Sequence, residues 1–308
     1  MNTAYKKQVA LLLNILPYIT EEENFALHGG TAINLFYLNM PRLSIDIDLT
    51  FIPFTNNRNN DLEFIRNSLN NVKKKLSIRI PKIHFEDQRR ANEDLKLICS
   101  TSDATIKIEV NQINRGLIAD SSIRVLCEGA QEEFNCFCEA RTVSFGQLWG
   151  GKIAAALDRQ HPRDLFDIRN LLENNGYTDD VKSGFIFFLL CGKRPIHEML
   201  NPQKINQQAI LESQFNGMTY QPFLYKDYEN TQKKLISIVK QSLTSEDKTF
   251  IKAFAKGEPI WEKVNYSNFP AIKWKLLNIQ KLKSDNSEKF YKQIELLDEI
   301  LSTDKINA

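Results

Sequence analysis

The sequence predicts an α/β fold in its first half and a helical fold in its second. Up to about Val143, short helical patterns alternate with strand-like patterns of period two, whereas from Ser144 onward helical spacing dominates. Of the 308 residues, 42% are hydrophobic and 25% are charged, which is enough apolar material for at least one large core. We therefore predict an α/β domain over residues 1–143 and a helical domain over residues 144–308.

Composition and charge argue against several classes of protein. Forty basic and thirty-eight acidic residues give a net charge of +2, which disfavours a nucleic-acid binder whose whole surface is basic. The first residues lack a long apolar signal segment, and no window approaches roughly 18 uncharged apolar residues, so secretion and membrane spanning are not expected. Five cysteines without a C-x-x-C pair predict reduced thiols and a cytoplasmic protein.

Hydrophobic periodicity and turn residues predict the elements of the α/β half in order. Val9, Leu12, Leu13 and Leu16 share one helical face, and Pro17 is expected to end that helix. The predicted elements are a helix over 5–16, a strand over 25–27, a helix over 31–38, a strand over 44–50, a polar surface helix over 61–75, and strands over 77–85, 95–99, 105–111, 123–126 and 137–143.

Two start signals define the first helices of the second half. Ser144 with Gln147 predicts a capping box and a helix to about Asp158. Pro162 suits the first turn of a following helix over residues 163–172, and several further helices are expected as far as Leu301.

A glycine pair between a strand and a helix predicts a phosphate-binding turn. Gly29 and Gly30 let the backbone approach a phosphate closely, the helix that follows offers unpaired N–H groups, and Thr31 adds a hydroxyl. Downstream, Asp46 and Asp48 alternate with apolar residues, so their carboxylates share one strand face about 7 Å apart by strand rise. Paired carboxylates at the edge of a sheet suit Mg²⁺.

A third acid on a neighbouring strand would complete such a site. Lys107 and Glu109 share one face of the predicted strand over 105–111, and Glu109 could join the two aspartates in holding metal. The simpler alternative for the aspartates is a solvated strand face, which the glycine turn makes less attractive. Ser44 could contact phosphate or only hydrogen-bond within the turn, and Arg42 could pair with phosphate or with a neighbouring acid.

A second group of charged residues lies at the start of the helical half. Lys152 and Arg159 are seven residues apart, so both fall on one face of a continuous helix and could reach a triphosphate. Asp164 and Asp167 share a face of the next helix, where one of them could position Lys152 or Arg159. The alternative is a salt-bridged pair of helices without a ligand.

Together these motifs resemble those of AbiEii-type nucleotidyltransferase toxins, a branch of the DNA polymerase β-like nucleotidyltransferase superfamily. That pattern is a Gly-Gly/Ser turn with a later D-x-D, a K-x-D/E strand, and a Lys followed by a basic-Asp-x-x-Asp helix. It is matched over about residues 27–172. The matching residues are Gly29, Gly30, Asp46, Asp48, Lys107, Glu109, Lys152, Arg163, Asp164 and Asp167.

The resemblance implies an α/β (α+β) nucleotidyltransferase fold with a mixed sheet and a helical C-terminal domain that closes the cleft. It also implies an NTP donor, Mg²⁺, transfer of an NMP to an acceptor hydroxyl, and a role as toxin beside a cognate antitoxin or in phage exclusion. Asp46 and Asp48 would bind metal, Glu109 would complete that site or act as base, and Lys107 and Lys152 would neutralise phosphate. Glu109 departs from the Asp of many relatives and is longer by one methylene.

The acceptor stays open at this stage. A tRNA 3′ end is the leading expectation from the resemblance, followed by a protein hydroxyl or a small molecule such as an antibiotic, and a non-catalytic NTP-binding module is the alternative of another class. The segment from Thr231 to the end holds fourteen Lys and ten acids with interspersed aromatic residues, which suggests an RNA-docking surface or simply amphipathic helices. His28 is expected to orient the glycine turn.

Overall fold

The computed structural model describes residues 2–55, 57–86, 95–262, 264 and 266–302. The chain forms two compact units. The first contains the residues up to Ser144 together with Phe215–Pro222, and the second contains Phe145–Gln214 and the residues from Phe223 onward. The division into one domain over residues 1–143 and another over residues 144–308 stays a prediction. That prediction did not include the return of residues 215–222 to the first unit.

The first unit is built on a seven-stranded mixed sheet of order β3-β4-β5-β2-β1-β7-β6. The pairs β1–β7 and β2–β5 are parallel and the other neighbours are antiparallel, as the expected mixed sheet requires. The strands are β1 (Phe25–His28), β2 (Asp46–Phe51), β3 (His84–Phe85), β4 (Lys96–Ser100), β5 (Thr105–Val110), β6 (Ser122–Val125) and β7 (Glu139–Thr142).

Helices complete the first unit and make up the second. The predicted apolar face of α1 is buried and the helix packs against β5 and β7. The helices of the first unit are α1 (Thr3–Thr20), α2 (Gly29–Ala32) with a π-helical turn (Ile33–Tyr37), α3 (Arg58–Arg79) and α4 (Glu128–Phe134). Those of the second unit are α5 (Phe145–Arg159), α6 (Pro162–Asn174), α7 (Asp179–Cys191), α8 (Ile196–Leu200), α9 (Gln208–Gln214), α10 (Tyr225–Ser242), α11 (Ser245–Ala255), α12 (Pro270–Asp285) and α13 (Ser287–Ser302).

Two element predictions were wrong, and both errors concern where a helix ends. Pro17 lies inside α1, which continues to Thr20, because packing of the buried Ile19 in the core offsets the hydrogen bond and the steric fit that proline costs the helix. The strand predicted over 77–85 is confined to its last two residues, since α3 continues to Arg79. Helical spacing of the buried Ile65, Leu69, Val72 and Leu76 accounts for that continuation.

Close contact between α5 and α7 depends on glycine. A Cβ built on Gly150 would lie 2.2 Å from the backbone carbon of Gly184, and one built on Gly184 would lie 1.9 Å from the carbonyl oxygen of Gly146. No side chain fits at these distances, so the two helices meet backbone to backbone. Within the described residues, none of the helices has both the length and the apolar character needed to cross a bilayer.

We predict that Gly184→Ala lowers the free energy of unfolding by about 3 kcal/mol, because the added methyl group meets backbone that cannot rotate away. Urea denaturation measures the change. Gly192→Ala is the matched control: its Cβ would lie at 3.5 Å from its nearest neighbours, and we expect a change below about 1 kcal/mol. Equal effects of the two substitutions would contradict the packing argument.

Candidate functional site

Strand β2 brings the two aspartates of the D-x-D motif onto one face of the sheet. Asp46 and Asp48 are half-buried, while the alternating Ile47 and Leu49 are buried in the core. The parallel pairing of β2 with β5 sets Asp46 opposite Lys107 and Asp48 opposite Glu109. Residues directly opposite each other in paired strands project to the same face, so all four charged side chains line one surface.

Lys107 lies among the acids of this surface. Its Nζ is 2.7 Å from Glu109 Oε2. Partial burial lowers the pKa of Lys107, but the hydrogen bond to Glu109 and the charges of Glu109, Asp46 and Asp48 raise it above its ordinary value. Lys107 is therefore a cation at neutral pH, paired with Glu109 on the face that carries Asp46 and Asp48.

The glycine turn packs directly against the second aspartate. Gly29 has φ +71°, and a Cβ built there would lie 2.3 Å from Asp48 Oδ2. This close approach and the left-handed backbone both require glycine. A Cβ on Gly30 would lie 2.7 Å from Arg42 Nη2 and 2.9 Å from Ser44 Oγ. The turn is thus a cradle that any larger residue would fill.

The polar residues predicted around the turn form an internal network. Thr31 Oγ1 donates to the backbone oxygen of Asp46 at 2.5 Å and lies 3.0 Å from Ser44 Oγ. Arg42 is buried and its Nη1 donates to Leu43 O at 2.9 Å. The sequence left Ser44 and Arg42 open between phosphate and contacts within the protein. The structure shows contacts that join the turn to the start of β2, and the NTP-binding role of Thr31, Arg42 and Ser44 stays a prediction.

Two more residues support the glycine turn. Asn34 was not predicted from the sequence, and His28 was predicted only to orient the turn. Buried Asn34 donates from Nδ2 to Gly30 O at 2.9 Å and so ties the glycine turn to the helical segment that follows it. In the sequence, this role is indicated only by the position of Asn34, a polar amide within an apolar run four residues after Gly30. His28 lies opposite Asp48 in the β1–β2 pairing, with Nδ1 3.3 Å from Thr50 Oγ1.

The carboxylate oxygens on this face of the sheet fit Mg²⁺. This ion usually takes one or two protein carboxylates and completes its shell with substrate phosphates and water. Asp46 and Asp48 supply that number beside the glycine cradle. In the part of the chain that the structure describes, no group of three or more His, Cys, Asp or Glu side chains forms a ready-made metal cage.

The second predicted group forms a buried ion network within the helical unit. Lys152 Nζ, on α5, lies 3.1 Å from Asp164 Oδ1 and 3.0 Å from Asp167 Oδ2, both on α6. Arg159 reaches the same Asp164 with Nε at 2.6 Å and Nη2 at 2.9 Å. The predicted shared faces of the two helices are therefore confirmed. Half-buried Arg163 is on the first turn of α6.

Three of the four charges of this network are shielded from water. Asp164 and Asp167 are buried and the Lys152 side chain is 6% exposed, whereas Arg159 is largely exposed. Burial by itself raises the pKa of Asp164, but the Lys152 ammonium and the Arg159 guanidinium outweigh it and hold the pKa well below its usual value. Asp164 is therefore ionised throughout the physiological range, as is required of a residue that positions Lys152.

The aromatic residues of the C-terminal segment divide into two kinds. Trp261 contacts the rings of Phe250 and Phe254, and Tyr266 contacts those of Phe187 and Phe269, as core residues do. Trp274 is 42% exposed. The residues at 263, 265 and 303–308 of that segment, which include two of its lysines, lie outside the described residues.

A family model described as "Nucleotidyl transferase AbiEii toxin, Type IV TA system" matches residues 10–261. The chain belongs to this AbiEii family. It is therefore a nucleotidyltransferase and the toxin of a toxin–antitoxin pair, with an NTP substrate and a cognate antitoxin. A search of curated proteins finds no match.

One solved structure shares the fold of this AbiEii toxin. MenT4, a nucleotidyltransferase toxin from Mycobacterium tuberculosis H37Rv, superposes with a TM-score of 0.61 at 13% identity, covering 90% of this chain and 95% of MenT4. A structure titled as a candidate nucleotidyltransferase from H. pylori matches at 17% identity with a TM-score of 0.47, covering 78% and 96%. At 13% identity, the likeness to MenT4 demonstrates the nucleotidyltransferase fold.

We predict that Asp164→Asn lowers the free energy of unfolding by about 3 kcal/mol at neutral pH, because it breaks a buried ion network. A depressed carboxyl pKa stabilises the folded state above the unfolded value of about 3.9. The difference between wild type and variant should therefore shrink as the pH falls below about 5, which urea denaturation across pH measures.

Asp179→Asn provides the control for that experiment. The Asp179 side chain is 97% exposed and pairs with Lys182 at the surface, so its removal should change stability by less than about 1 kcal/mol. A stability difference for Asp164→Asn that stays constant down to low pH would contradict the ionised, paired state.

Proposed function

We propose that this AbiEii toxin transfers an NMP from an NTP to the 3′-terminal hydroxyl of a tRNA. The observation that supports the chemistry is the alignment of Asp46 with Lys107 and of Asp48 with Glu109 on one sheet face, next to the Gly29 turn. A metal–polyphosphate substrate requires carboxylates to hold the metal, a cation to neutralise phosphate and a glycine backbone that phosphate can approach, and all three lie on one face of the sheet. The tRNA acceptor rests on the resemblance to the toxin family.

In this proposal the glycine turn and Lys107 hold the triphosphate, and Asp46 and Asp48 hold Mg²⁺. When bound, that ion stabilises negative charge on the phosphates. The acceptor hydroxyl attacks the α-phosphorus in line: the new oxygen–phosphorus bond forms as the bond to the β-phosphate breaks, and pyrophosphate leaves. Glu109, half-exposed and next to Asp48, accepts the proton of the hydroxyl. We propose NTP binding for Lys152, Arg159, Arg163, Asp164 and Asp167 from the family pattern alone.

The setting of this activity is part of the same proposal. All five cysteines are free thiols, two of them at intermediate burial, as expected in the reducing cytoplasm where NTPs and tRNA occur. We propose an antitoxin encoded beside the toxin, and a role of the pair in phage exclusion, from the family resemblance.

The first experiment incubates purified protein with Mg²⁺, each of the four NTPs labelled at the α-phosphate, and total bacterial tRNA. We predict label on tRNA with one NTP. In Asp46→Asn the rate of transfer should fall by at least about 100-fold, which is the usual effect of removing one group that stabilises charge in the transition state. Asp103→Asn is the matched control, an acid of the same unit whose side chain is 64% exposed. It should retain wild-type transfer.

Each other outcome of this assay has a defined meaning. Label on protein alone would replace tRNA with a protein hydroxyl as acceptor, and label on a small molecule would point to antibiotic nucleotidylation. No label with any acceptor would favour a non-catalytic NTP-binding module. An Asp46→Asn protein that transfers at the wild-type rate, with its melting temperature unchanged, would refute the metal-binding role of Asp46.

Gly29→Ala tests the cradle. The added methyl group would overlap Asp48 Oδ2, so either the carboxylate or the turn must move, and we predict about a 100-fold loss of transfer from misplacement of the substrate. Gly176→Ala is the control because Gly176 has a similar φ of +74° with nothing within 4 Å of a built Cβ. Equal losses in both variants would assign the effect to backbone strain instead.

A further inference from the structure

A cavity of about 180 Å³ lies within the helical unit, bordered by the segment that includes α8 and by α12 and α13. Its lining is mostly apolar. The charged and titratable side chains that line it are Lys193, His197 and Lys275, and its lining includes no Asp or Glu. None of the residues that we place in the nucleotidyl-transfer site lines this cavity.

Lys275 is a buried cation without an acidic partner. Its side chain is 6% exposed, and its Nζ donates to Gly192 O and Arg194 O, both at 2.7 Å. Among the described residues no carboxylate forms an ion pair with it, although the charge of Glu198 on α8 acts on it. Burial lowers the pKa of Lys275 to about 8.

An unpaired buried charge is costly to a folded protein. The two carbonyl oxygens satisfy part of the hydrogen-bonding capacity of the ammonium group, which has three donors, but they supply no negative charge. A bound anion would supply that charge. The exposed Lys193 lies at the same cavity and favours an anion there as well, whereas burial lowers the pKa of the half-buried His197, so its imidazole is neutral at neutral pH.

The remaining lining suits a flat, polar-edged ring. Trp274 lines the cavity, is 42% exposed and makes no aromatic ring contact in the described part of the chain, so its indole is accessible to a stacking partner. Phe290, Asn278 and Gln293 also line the cavity, and Asn278 Nδ2 donates to Trp274 O at 2.9 Å. Aromatic side chains stack on nucleobases, and amides hydrogen-bond to their donor and acceptor edges.

We propose that this cavity binds one nucleotide unit, with its phosphate at Lys275 and its base against Trp274. The volume of about 180 Å³ is below the range of about 300–1,000 Å³ typical of drug-sized ligands, so the cavity encloses only part of a nucleotide and the rest extends past the partly exposed Trp274. The same chemistry occurs in a free nucleoside monophosphate and in the terminal nucleotide of an RNA. The site is additional to the proposed NTP site and does not depend on it.

Calorimetric titration of the full-length protein tests this site. AMP, CMP, GMP and UMP are each titrated in EDTA, which removes Mg²⁺, and adenosine and inorganic phosphate serve as the separate halves of the ligand. We expect at least one nucleotide to bind more tightly than both halves. Failure of all four nucleotides to bind, or inorganic phosphate binding as tightly as the best nucleotide, would overturn the proposal.

Substitutions locate the binding. Lys275→Met should weaken nucleotide binding by about 10- to 100-fold, the effect of losing one charge-assisted hydrogen bond. Trp274→Ala should weaken it by about 10-fold or more through lost stacking, and, being partly exposed, it keeps the test valid if Lys275→Met fails to fold. Lys281→Met, an exposed lysine of the same helix, should leave it unchanged.

Two further experiments complete the test. One separates this site from the proposed NTP site, and the other distinguishes a free nucleotide from the end of an RNA as the ligand. Lys107→Met should bind the nucleotide as wild type does; loss of binding there would assign it to the NTP site, where Lys107 is proposed to hold phosphate without needing Mg²⁺, and would refute the proposal. A phosphorylated trinucleotide RNA whose binding also depends on Lys275 would indicate an RNA end, whereas binding of the monophosphate alone would indicate a free nucleotide.

Discussion

The position of β2 between β1 and β5 is the constraint on which the candidate site depends. Because β2 pairs in parallel with β5, the two carboxylates of the D-x-D motif meet Lys107 and Glu109 in register. Because it pairs with β1 on its other edge, the glycine turn that follows β1 packs directly against Asp48. A shift of one residue in either pairing would turn the aspartates into the core.

Two buried lysines in the helical unit show how the surroundings decide what a charge does. Lys152 has two buried carboxylates and a neighbouring guanidinium, so its charge is balanced within the protein and the network fixes the relative positions of α5 and α6. Lys275 has carbonyl oxygens but no carboxylate partner. The proposed nucleotide would bring a negative charge to Lys275, whereas Lys152 already has its carboxylates within the protein.

Much of the fold follows from local sequence. The period-two pattern of residues 44–50 and 105–111 predicts the strands that carry the acids, because one face of each must be buried. Helix ends were predicted less well. Pro17 and the residues from Ser77 to Arg79 continue their helices because buried neighbours in α1 and α3 stabilise the last turn more than local propensity opposes it.

The sequence by itself determined the chemistry of this protein: which residues carry charge, which glycines allow close approach, and which family pattern they form. Only the tertiary structure decided which of those residues meet. Thr31, Ser44 and Arg42 turn inward to support the site, and the segment 215–222 returns from the helical half to pair with residues 42 and 43. Contacts between residues so distant in the chain depend on packing and burial, which no local pattern encodes.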